Sequence, residues 1–473
     1  MIVTGLAVGA VLGIVMQRGR FCVTGMLRDI FLQRSWRTFV GLLIVIAVHA
    51  VGIAALTSAG IITPTYDNFA PLAVIVGAFI FGFGIILSGG CASGTWYRSG
   101  EGLVGSWIAL ATYALSTAAM KTGIFSDFTA VMTAWETDLT TLPALFGVSV
   151  WWFVVPFAAL TAYLTRYFLI QESKRPKIAR LGNQPAWKRP LHVYTAGALI
   201  GLIGVIAWPL SAAAGRNSGL GITTPTAHTL QYITTGDDSY LNWGVMLVLG
   251  ILVGSFIGAK SSGEFRVRVS DATTSVRAVA GGTLMGVGAS LAGGCTVGNG
   301  MVQTSLFSFQ GWIALLFIAI GVGVAAKIFL KPATVSKKVT AEGTYSTEQS
   351  LANETPTSAE DRVLPAQPRS PVAFAGVKVA TGLIDLKPAV SEKLRDLGDG
   401  YYALDSLGAV CPFPLIEAKD VIKTLESGEH LVIDFDCTQA TDAIPQWCAT
   451  DGHEITDFRE TGDASWQITV KKG

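Results

Sequence analysis

Charged residues are scarce in this 473-residue sequence: they make up only 14% of it, whereas an ordinary soluble domain carries about 25%. Hydrophobic residues account for 51%, and the mean hydropathy is +0.50. This composition excludes an ordinary soluble protein, and it also excludes the collagen-like, disordered and small disulfide-rich classes. It indicates a chain that lies mostly in lipid.

Several chemical motifs are absent as well. No Gly-x-x-x-x-Gly-Lys-Ser/Thr run occurs, so we do not expect ATP drive within this chain. We also expect no nucleic-acid partner. No Cys-x-x-Cys pair occurs, and no histidine or methionine cluster lies near the cysteines of the apolar part. We therefore expect neither a metal ion nor another cofactor.

The net charge of +1 results from two regions of opposite sign. Residues 1–330 carry 20 Lys/Arg and 11 Asp/Glu, whereas residues 331–473 carry 14 Lys/Arg and 22 Asp/Glu. Two different bodies therefore share the chain, and we expect residues 1–330 to form a membrane domain.

Nine apolar stretches are long enough to cross a bilayer: 1–17, 38–60, 70–88, 104–120, 148–168, 192–210, 242–259, 278–296 and 311–330. The first has no basic n-region and no small-residue cleavage site, so it is predicted to be a span rather than a signal peptide. Basic loops alternate with acidic or uncharged ones; the basic loops are 18–37, 166–189 and 260–277. This alternation predicts a multi-pass protein in the lipid of the cytoplasmic (inner) membrane, with the N-terminus outside and the C-terminus in the cytoplasm.

The apolar part contains an internal repeat. Residues 77–94 (GAFIFGFGIILSGGCASG) align without gaps on residues 281–298 (GGTLMGVGASLAGGCTVG), and a Trp-Ile-Ala-Leu run follows each copy. In the predicted topology, the two copies cross the membrane in opposite directions. Inverted repeats of this kind are associated with transport, with the substrate site between the halves. The halves are predicted at about 1–170 and 190–330.

Each copy ends in two glycines and a cysteine: Gly89, Gly90 and Cys91, and then Gly293, Gly294 and Cys295. Adjacent glycines disfavour a continued helix, and the N–H groups freed at the positive end of a half-helix can bind an anion. The other glycines shared by the copies are expected to serve helix packing; they include Gly82, Gly84, Gly286 and Gly288.

Three cysteines lie in the apolar part: Cys22, Cys91 and Cys295. A single cysteine in a span is most often a small buried residue, and this remains an alternative for Cys22. Packing gives no reason for both Gly-Gly-Cys copies to keep a thiol. Three thiolates could hold a soft cation, but the other expected ligands are absent. We expect instead a soft sulfur oxyanion, whose sulfur meets S–H donors and whose oxygens meet backbone N–H groups. The sequence puts no convincing basic residue beside the motifs, Arg98 being the nearest.

The Gly-Gly-Cys repeats, the Cys22 segment and the run RNSGLGITTPT at 216–226 resemble the YeeE/YedE family of membrane proteins, whose characterised members take up thiosulfate. The resemblance covers essentially residues 1–330. It implies an hourglass-like passage in which Cys22, Cys91 and Cys295 line the centre and hand the substrate along. Some relatives are associated with selenium or other sulfur metabolism, so a different sulfur or selenium species remains an alternative substrate.

Residues 331–398 are expected to be a flexible linker, because they begin with a stretch rich in Pro, Ser, Thr, Ala and charge. Residues 371–398 remain either linker or an extension of the next domain, because FAGVKVATGLIDL has the pattern of a strand and residues 388–398 have that of a short amphipathic helix. Residues 399–473 are predicted to form a small α/β two-layer sandwich. Its strands are expected at 401–404, 430–436, 453–460 and 465–471, and its helices at 412–425 and 440–451.

The run CPFP at 411–414 begins the first helix of this domain. Cys411 precedes Pro412 at the positive end of the helix dipole, which favours a nucleophilic thiolate. The segment resembles the TusA family of sulfur carriers, which implies that Cys411 receives sulfur as a persulfide and passes it to a downstream acceptor. Cys437 and Cys448 lie away from the motif and are expected to be packing residues, and a disulfide is not expected in a cytoplasmic domain.

The sequence therefore predicts an α-helical polytopic membrane protein with inverted repeats, about nine spans and short half-helices, followed by the small α/β domain. Its predicted function is thiosulfate uptake, with the sulfur received at Cys411. The acidic carrier domain is expected to dock on the basic cytoplasmic loops. A sulfurtransferase coupled to entry, which would keep the outer sulfur on Cys411 and release sulfite, and a soft-metal permease remain alternatives.

Overall fold

The computed structural model describes residues 2–66, 68–174, 188–270, 272–330, 394–409, 413–462 and 464–473. These residues form a helical region up to Leu330 and a small α/β domain from Leu394. The helices of the first region are α1 (Val3–Arg18), α2 (Val23–Leu32), α3 (Arg37–Ser58), α4 (Pro71–Leu87), α5 (Ala92–Gly100), α6 (Val104–Lys121), α7 (Ser126–Thr133), α8 (Leu142–Phe146), α9 (Trp151–Ser173), α10 (Val193–Ala213), α11 (Thr223–Thr235), α12 (Trp243–Ser262), α13 (Ala272–Leu291) and α14 (Phe309–Phe329).

Every predicted span coincides with one long helix. The nine helices concerned are α1, α3, α4, α6, α9, α10, α12, α13 and α14. Within the described ranges, seven helical segments are long and apolar enough to cross a membrane, or eight if the bent pair of α6 and α7 counts as one span. The region is thus that of a multi-pass membrane protein, and the number nine stays a prediction.

The two repeat copies pack directly on each other through α4 and α13. A Cβ atom added to Gly77 would lie 2.7 Å from the Gly288 carbonyl oxygen, and one added to Gly84 would lie 2.9 Å from that of Gly281. The sequence alignment equates Gly77 with Gly281 and Gly84 with Gly288. The two contacts are therefore equivalent under the repeat: each joins the earlier glycine of one copy to the later glycine of the other. The two helices accordingly run antiparallel.

Each copy also packs on the long helix that follows the other copy. A Cβ on Gly82 of α4 would meet the Ile318 backbone of α14, and one on Gly286 of α13 would meet the Tyr113 carbonyl oxygen of α6 at 2.8 Å. Without side chains, these positions let the helix backbones approach closely in an apolar medium. The prediction that these glycines serve helix packing is confirmed.

The same symmetry relates helices that come earlier in each half. Glycines of α1 pack on α12, where a Cβ on Gly13 would lie 2.9 Å from the Ser255 nitrogen. In the other half α10 packs on α3, where a Cβ on Gly197 would lie 2.6 Å from the Gly41 carbonyl oxygen. The segments α1–α6 and α10–α14 thus have matching partners, with α7–α9 between them.

The basic loops come together at one end of the helices. Arg18 donates to the Arg189 carbonyl oxygen at 2.6 Å, and Arg20 forms an ion pair with Glu264 at 3.0 Å. One face therefore gathers the segments 18–37, 188–192 and 260–277, as their shared charge predicts.

The C-terminal domain is a five-stranded sheet in the order β1-β2-β3-β5-β4, in which only β2 and β3 pair in parallel. The elements are β1 (Leu394–Gly398), β2 (Tyr401–Ser406), α15 (Phe413–Thr424), β3 (His430–Phe435), α16 (Ala440–Asp451), β4 (Glu454–Gly462) and β5 (Ser465–Lys471). Alternate residues of β3 are buried beneath the two helices, including Leu431, Ile433 and Phe435. This alternation is what a two-layer packing requires, and it agrees with the predicted fold class.

One local expectation is wrong. Residues 394–398 of the predicted amphipathic helix form the edge strand β1, which pairs antiparallel with β2 and puts Leu394 opposite Leu404. Hydrogen bonds to a sheet edge outweigh a weak helical pattern over so few residues. The sheet thus begins five residues before the predicted boundary at residue 399. The remainder of the predicted linker, 331–393, lies outside the described residues.

Candidate functional site

The three cysteines of the helical region are buried and occupy equivalent positions. Cys22 and Cys91 are the N-caps of α2 and α5, and Cys295 precedes a π-helix at Gly298–Gln303. Each cysteine carbonyl accepts a hydrogen bond from the N–H four residues on, contributed by Met26, Thr95 and Asn299 respectively. All three thiols therefore lie where a helix begins, beside N–H groups that have no intrahelical partner.

Gly89 and Gly293 interrupt the two repeat helices at the same point. Both have φ +71°, a left-handed conformation that glycine adopts without the steric cost of a Cβ atom. α4 ends at Leu87 and α13 at Leu291, and a new short helix follows each cysteine. The interruption at each Gly-Gly-Cys motif is confirmed, whereas anion binding there stays a prediction.

The three thiols, called the thiol series below, lie near one another in the fold. The Cys91 thiol lies within electrostatic range of Cys22, and the Tyr113 hydroxyl lies within such range of both Cys91 and Cys295. That hydroxyl also donates to Thr223 Oγ at 3.0 Å. The fold thus brings the sequence-predicted cysteines together around a tyrosine that the sequence did not single out.

Arg98 lies directly beside the first Gly-Gly-Cys motif. Its guanidinium, buried within the fold, donates to the Gly89 carbonyl oxygen, to the Cys22 thiol at 3.5 Å and to the Tyr97 hydroxyl at 3.4 Å. The expectation that no convincing basic residue stands there is therefore wrong. The sequence signal that could have identified Arg98 is its spacing of seven residues from Cys91, because helix residues seven apart lie on the same face.

Neutral amides take the same role in the second motif. Asn299 donates to the carbonyl oxygens of Ala292 at 2.8 Å and Gly294 at 3.0 Å. Gln310 donates to the Ala292 oxygen at 3.2 Å and to Asn299 at 3.0 Å. Side chains thus satisfy carbonyls released at each break in the helix. In the first copy these are Arg98 and the Ser88 hydroxyl, which donates to the Gly90 oxygen at 2.9 Å, and in the second they are the two neutral amides.

The carrier domain lies against the basic end of the helical region. Arg20 donates to Asp442 at 2.6 Å and also to Thr441, and Arg37 donates to Gln446 at 2.9 Å. Phe413, the first residue of α15, packs on the core of the helical region, with the Arg277 guanidinium 5.9 Å above its ring. Ion-pair, neutral and apolar contacts thus all join the two domains.

Two spaces remain between the domains. The smaller, about 50 Å³, is lined by Arg20, Arg98, Glu101 and Arg268 from the helical side and by Ala409, Asp436 and Cys437 from the carrier. The larger, about 830 Å³, is lined in part by Cys22. The larger space therefore adjoins Cys22 directly, and the smaller one reaches it through Arg98, which contacts the Cys22 thiol.

Charged groups cluster around these two spaces, with Glu101 at the smaller one and Glu264 at the larger one. Burial raises the pKa of Glu101 to about 7, although Arg268 lowers it. Burial also opposes ionisation of Glu264, but Arg20 and Arg18 hold the pKa of that carboxyl below its usual value. Glu101 is therefore the acid here that changes its charge near neutral pH.

The carrier cysteines have different surroundings. Cys411 lies outside the described residues, which include its near neighbours Ala409 and Phe413. Cys448 is buried in the carrier core, and burial raises the pKa of its thiol to about 12, as suits a packing residue. Cys437 is disulfide-bonded, so the expectation of no disulfide in this domain is wrong. Cys437 lies in the loop that follows β3. Because β2 and β3 are parallel neighbours, the loops after these two strands lie close together, and the Gly408 N–H donates to Asp436 at 3.0 Å.

Within the described part of the chain, no three His, Cys, Asp or Glu side chains are grouped so that they could hold a metal ion. The site is instead a chain of thiols, helix starts and one buried guanidinium. Such an arrangement offers soft and hard donors to an anion.

Comparisons with known proteins match both domains. A family model described as sulphur transport matches residues 18–324, and one described as sulfurtransferase TusA matches residues 402–472. The thiosulfate transporter TsuA of Escherichia coli (strain K12) is 46% identical over 350 residues, which cover 72% of this chain and 98% of that protein. The TsuA of Spirochaeta thermophila is 30% identical over 335 residues, covering 68% of this chain and 97% of that protein. The putative sulfur carrier protein TsuB of E. coli is 62% identical over 69 residues, covering 15% of this chain and 92% of that protein.

Proposed function

The chain belongs to the sulphur transport family, and we propose from this premise that it imports thiosulfate through a passage lined by Cys22, Cys91 and Cys295. Its fused carrier domain receives the sulfur at Cys411. The observation that carries the proposal is the junction of the two parts: the thiol series ends at Cys22, which contacts Arg98, and Arg98 lines a space to which the carrier contributes Ala409. Transport and sulfur acceptance therefore meet at one point.

Thiosulfate suits the chemistry of the passage. Its outer sulfur is soft and polarizable and accepts weak S–H hydrogen bonds, whereas its sulfonate oxygens accept from backbone N–H groups. Each cysteine lies at the start of a helix, so both kinds of donor are available at successive stations. Binding by several weak sites allows release as well as capture, as a conduit requires.

The glycines of the two motifs complete each station. Gly89 and Gly293 turn the backbone, and Gly90 and Gly294 leave room for the side chains that satisfy the freed carbonyls. A Cβ on Gly90 would lie 3.4 Å from Arg98 Nη1, and one on Gly294 would lie 3.2 Å from Asn299 Oδ1. All four are therefore proposed as part of the substrate-binding passage.

The location of the protein follows from its charges. The face that gathers the basic loops also contacts the acidic carrier domain, through Arg20 and Asp442 among others. Basic loops face the cytoplasm in inner-membrane proteins. We therefore assign the carrier and the C-terminus to the cytoplasm and the N-terminus to the opposite side of the inner membrane.

The tether gives the carrier a high local concentration beneath the passage, so docking needs little affinity of its own. In the sulfur-transfer step, Cys411 acts in its reduced form, and its thiolate attacks the outer sulfur of thiosulfate. The new S–S bond forms as the bond to the sulfonate sulfur breaks, and sulfite leaves with that electron pair. A persulfide remains on Cys411, and the total charge is unchanged.

Uptake and acceptance are separable by experiment. Cells or proteoliposomes containing the full chain are supplied with radiolabelled thiosulfate, and the carrier is then analysed by mass spectrometry. We expect uptake by the wild type and one added sulfur on Cys411. The Cys411→Ala variant should still bind thiosulfate in the membrane region but gain no sulfur. Absence of uptake by the wild type would overturn the transport proposal, and an unmodified Cys411 would overturn only the carrier step.

A further inference from the structure

Arg98 differs from the other buried arginines at the basic end of the helices. Arg18 and Arg20 contact Glu264, and Arg28 contacts Asp29. Among the described residues, no carboxylate forms an ion pair with Arg98, whose partners are a carbonyl, a hydroxyl and a thiol. Glu101 lies within electrostatic range of the Arg98 guanidinium but does not contact it. A buried cation in direct contact with neutral groups alone is stabilised when an anion joins it.

The repeat makes this cation specific to one end of the passage. The spacing between Trp107 and Trp312 is one residue longer than that between the two repeated cysteines. The extra residue coincides with the π-helix Gly298–Gln303, because a π-helical turn holds more residues than an α-helical one. The counterpart of Arg98 is therefore Val302 or Gln303, and neither carries a charge.

The guanidinium and the Cys22 thiol converge on the same location. Arg98 Nη2 lies 3.5 Å from Cys22 Sγ, and the arginine also lines the space between the domains. A guanidinium recognises oxyanions through paired N–H donors, whereas a thiol suits a soft sulfur. A ligand with an oxyanion at one end and a soft sulfur at the other matches both groups at once.

We propose that Arg98 binds the sulfonate group of thiosulfate at the cytoplasmic end of the passage and makes that end selective for sulfur oxyanions over sulfur compounds without oxygen. This inference rests on the proposed transport of thiosulfate, and it adds the residue that binds the sulfonate oxygens. Inverted repeats alone give equivalent ends. Arg98 makes the two motifs different, so that a dianion which has passed Cys91 meets a guanidinium that the second motif does not provide.

The test compares Arg98→Gln and Arg98→Lys with Arg28→Gln, which changes a buried but ion-paired arginine. Thiosulfate uptake by the full-length protein is measured at equal protein levels in proteoliposomes, in competition with sulfite or with hydrosulfide. We expect Arg98→Gln to raise the KM for thiosulfate about 10- to 100-fold, the range for losing a hydrogen bond to a charged group. Arg98→Lys, which keeps the charge, should recover part of this loss.

Competition separates recognition from structural support. Sulfite should inhibit the wild type and Arg28→Gln but lose most of its effect on Arg98→Gln, whereas hydrosulfide inhibition should stay the same. Equal weakening of both inhibitors, or an unchanged KM, would overturn the proposal. If Arg98→Gln does not accumulate in the membrane, the same ratio measured with Arg98→Lys decides. Thiosulfate uptake by the wild type is the premise of this test. Absence of that uptake would overturn the transport proposal and not the role of Arg98.

Discussion

The two Gly-Gly-Cys copies share their backbone and differ in the groups that complete it. Both have a glycine at φ +71°, a thiol at the start of a short helix, and glycines packed on the other copy. In the first copy Arg98 satisfies the freed carbonyl, and in the second Asn299 and Gln310 do so. The comparison teaches that duplication kept the backbone geometry of the motif, whereas only the first copy has a charged side chain beside it.

The largest expected effect tests what the copies share. Cys91→Ala and Cys295→Ala should each reduce thiosulfate uptake to background, because each removes one station from a single series of thiols. Uptake of labelled thiosulfate by cells measures this, with Cys448→Ala as the control for loss of a buried thiol elsewhere. Normal uptake by one of the two variants would break the equivalence of the copies, and normal uptake by both would contradict the pathway.

A second prediction concerns helix packing. Gly82→Ala and Gly286→Ala should each lower the free energy of unfolding by about 1–3 kcal/mol, the usual range for overpacking. The added Cβ atoms would meet the backbone of the facing helix, which cannot rotate away as a side chain can. Thermal unfolding in detergent measures this. Gly298→Ala is the control, because no atom lies within 4 Å of the added Cβ, and it should change the free energy of unfolding little. A loss of stability for only one of Gly82→Ala and Gly286→Ala would show that the two halves pack differently.

A third prediction uses an acid at the end of the first copy. Because burial raises the pKa of Glu101 to about 7, this carboxyl is neutral at lower pH and negative at higher pH. Ionised, it competes with thiosulfate for Arg98, Arg268 and Arg20, while Glu264 stays negative. Uptake should therefore fall as the pH rises through about 7, and Glu101→Gln should abolish this change.

The same shift affects stability, with a definite sign. The folded pKa of Glu101 lies above its ordinary value of 4.5, so the unfolded state loses this proton first. Its contribution to folding stability is present below pH 4.5 and is lost as the pH rises through about 7. Glu101→Gln should therefore reduce the loss of thermal stability over this interval. An identical pH profile for wild type and variant would contradict the raised pKa.

The smallest expected effect concerns docking of the carrier beside the first copy. The Asp442 side chain is 49% exposed, and ion pairs near the surface contribute about 0–1 kcal/mol. Asp442→Asn should therefore weaken cross-linking between the domains by no more than about fivefold, and added salt should weaken the wild-type contact similarly. Asp457→Asn, whose partner Arg459 lies in the carrier itself, is the control. Docking that is insensitive to both salt and Asp442→Asn would attribute the contact to apolar packing at Phe413.

Much of this architecture could be predicted from local sequence. The long helices follow from apolar stretches of sufficient length, and the carrier strands follow from alternation, as in β3. The repeat predicted the common thiol positions at Cys91 and Cys295. It could not predict which side chains satisfy the freed carbonyls, because candidates such as Arg98 and Gln310 lie further along the chain and reach the motif only after the backbone turns back.

The sequence by itself determined the elements, the duplication and the residue types that suit a sulfur anion, since these depend on composition, period and spacing. Tertiary structure alone decided that Arg98 contacts Cys22, that Tyr113 lies near the two motif cysteines, and that residues 394–398 pair with a sheet edge instead of forming a helix. These outcomes arise from contacts between distant segments. Such contacts depend on which partner is close enough to satisfy a buried polar group, and local propensity does not contain that information.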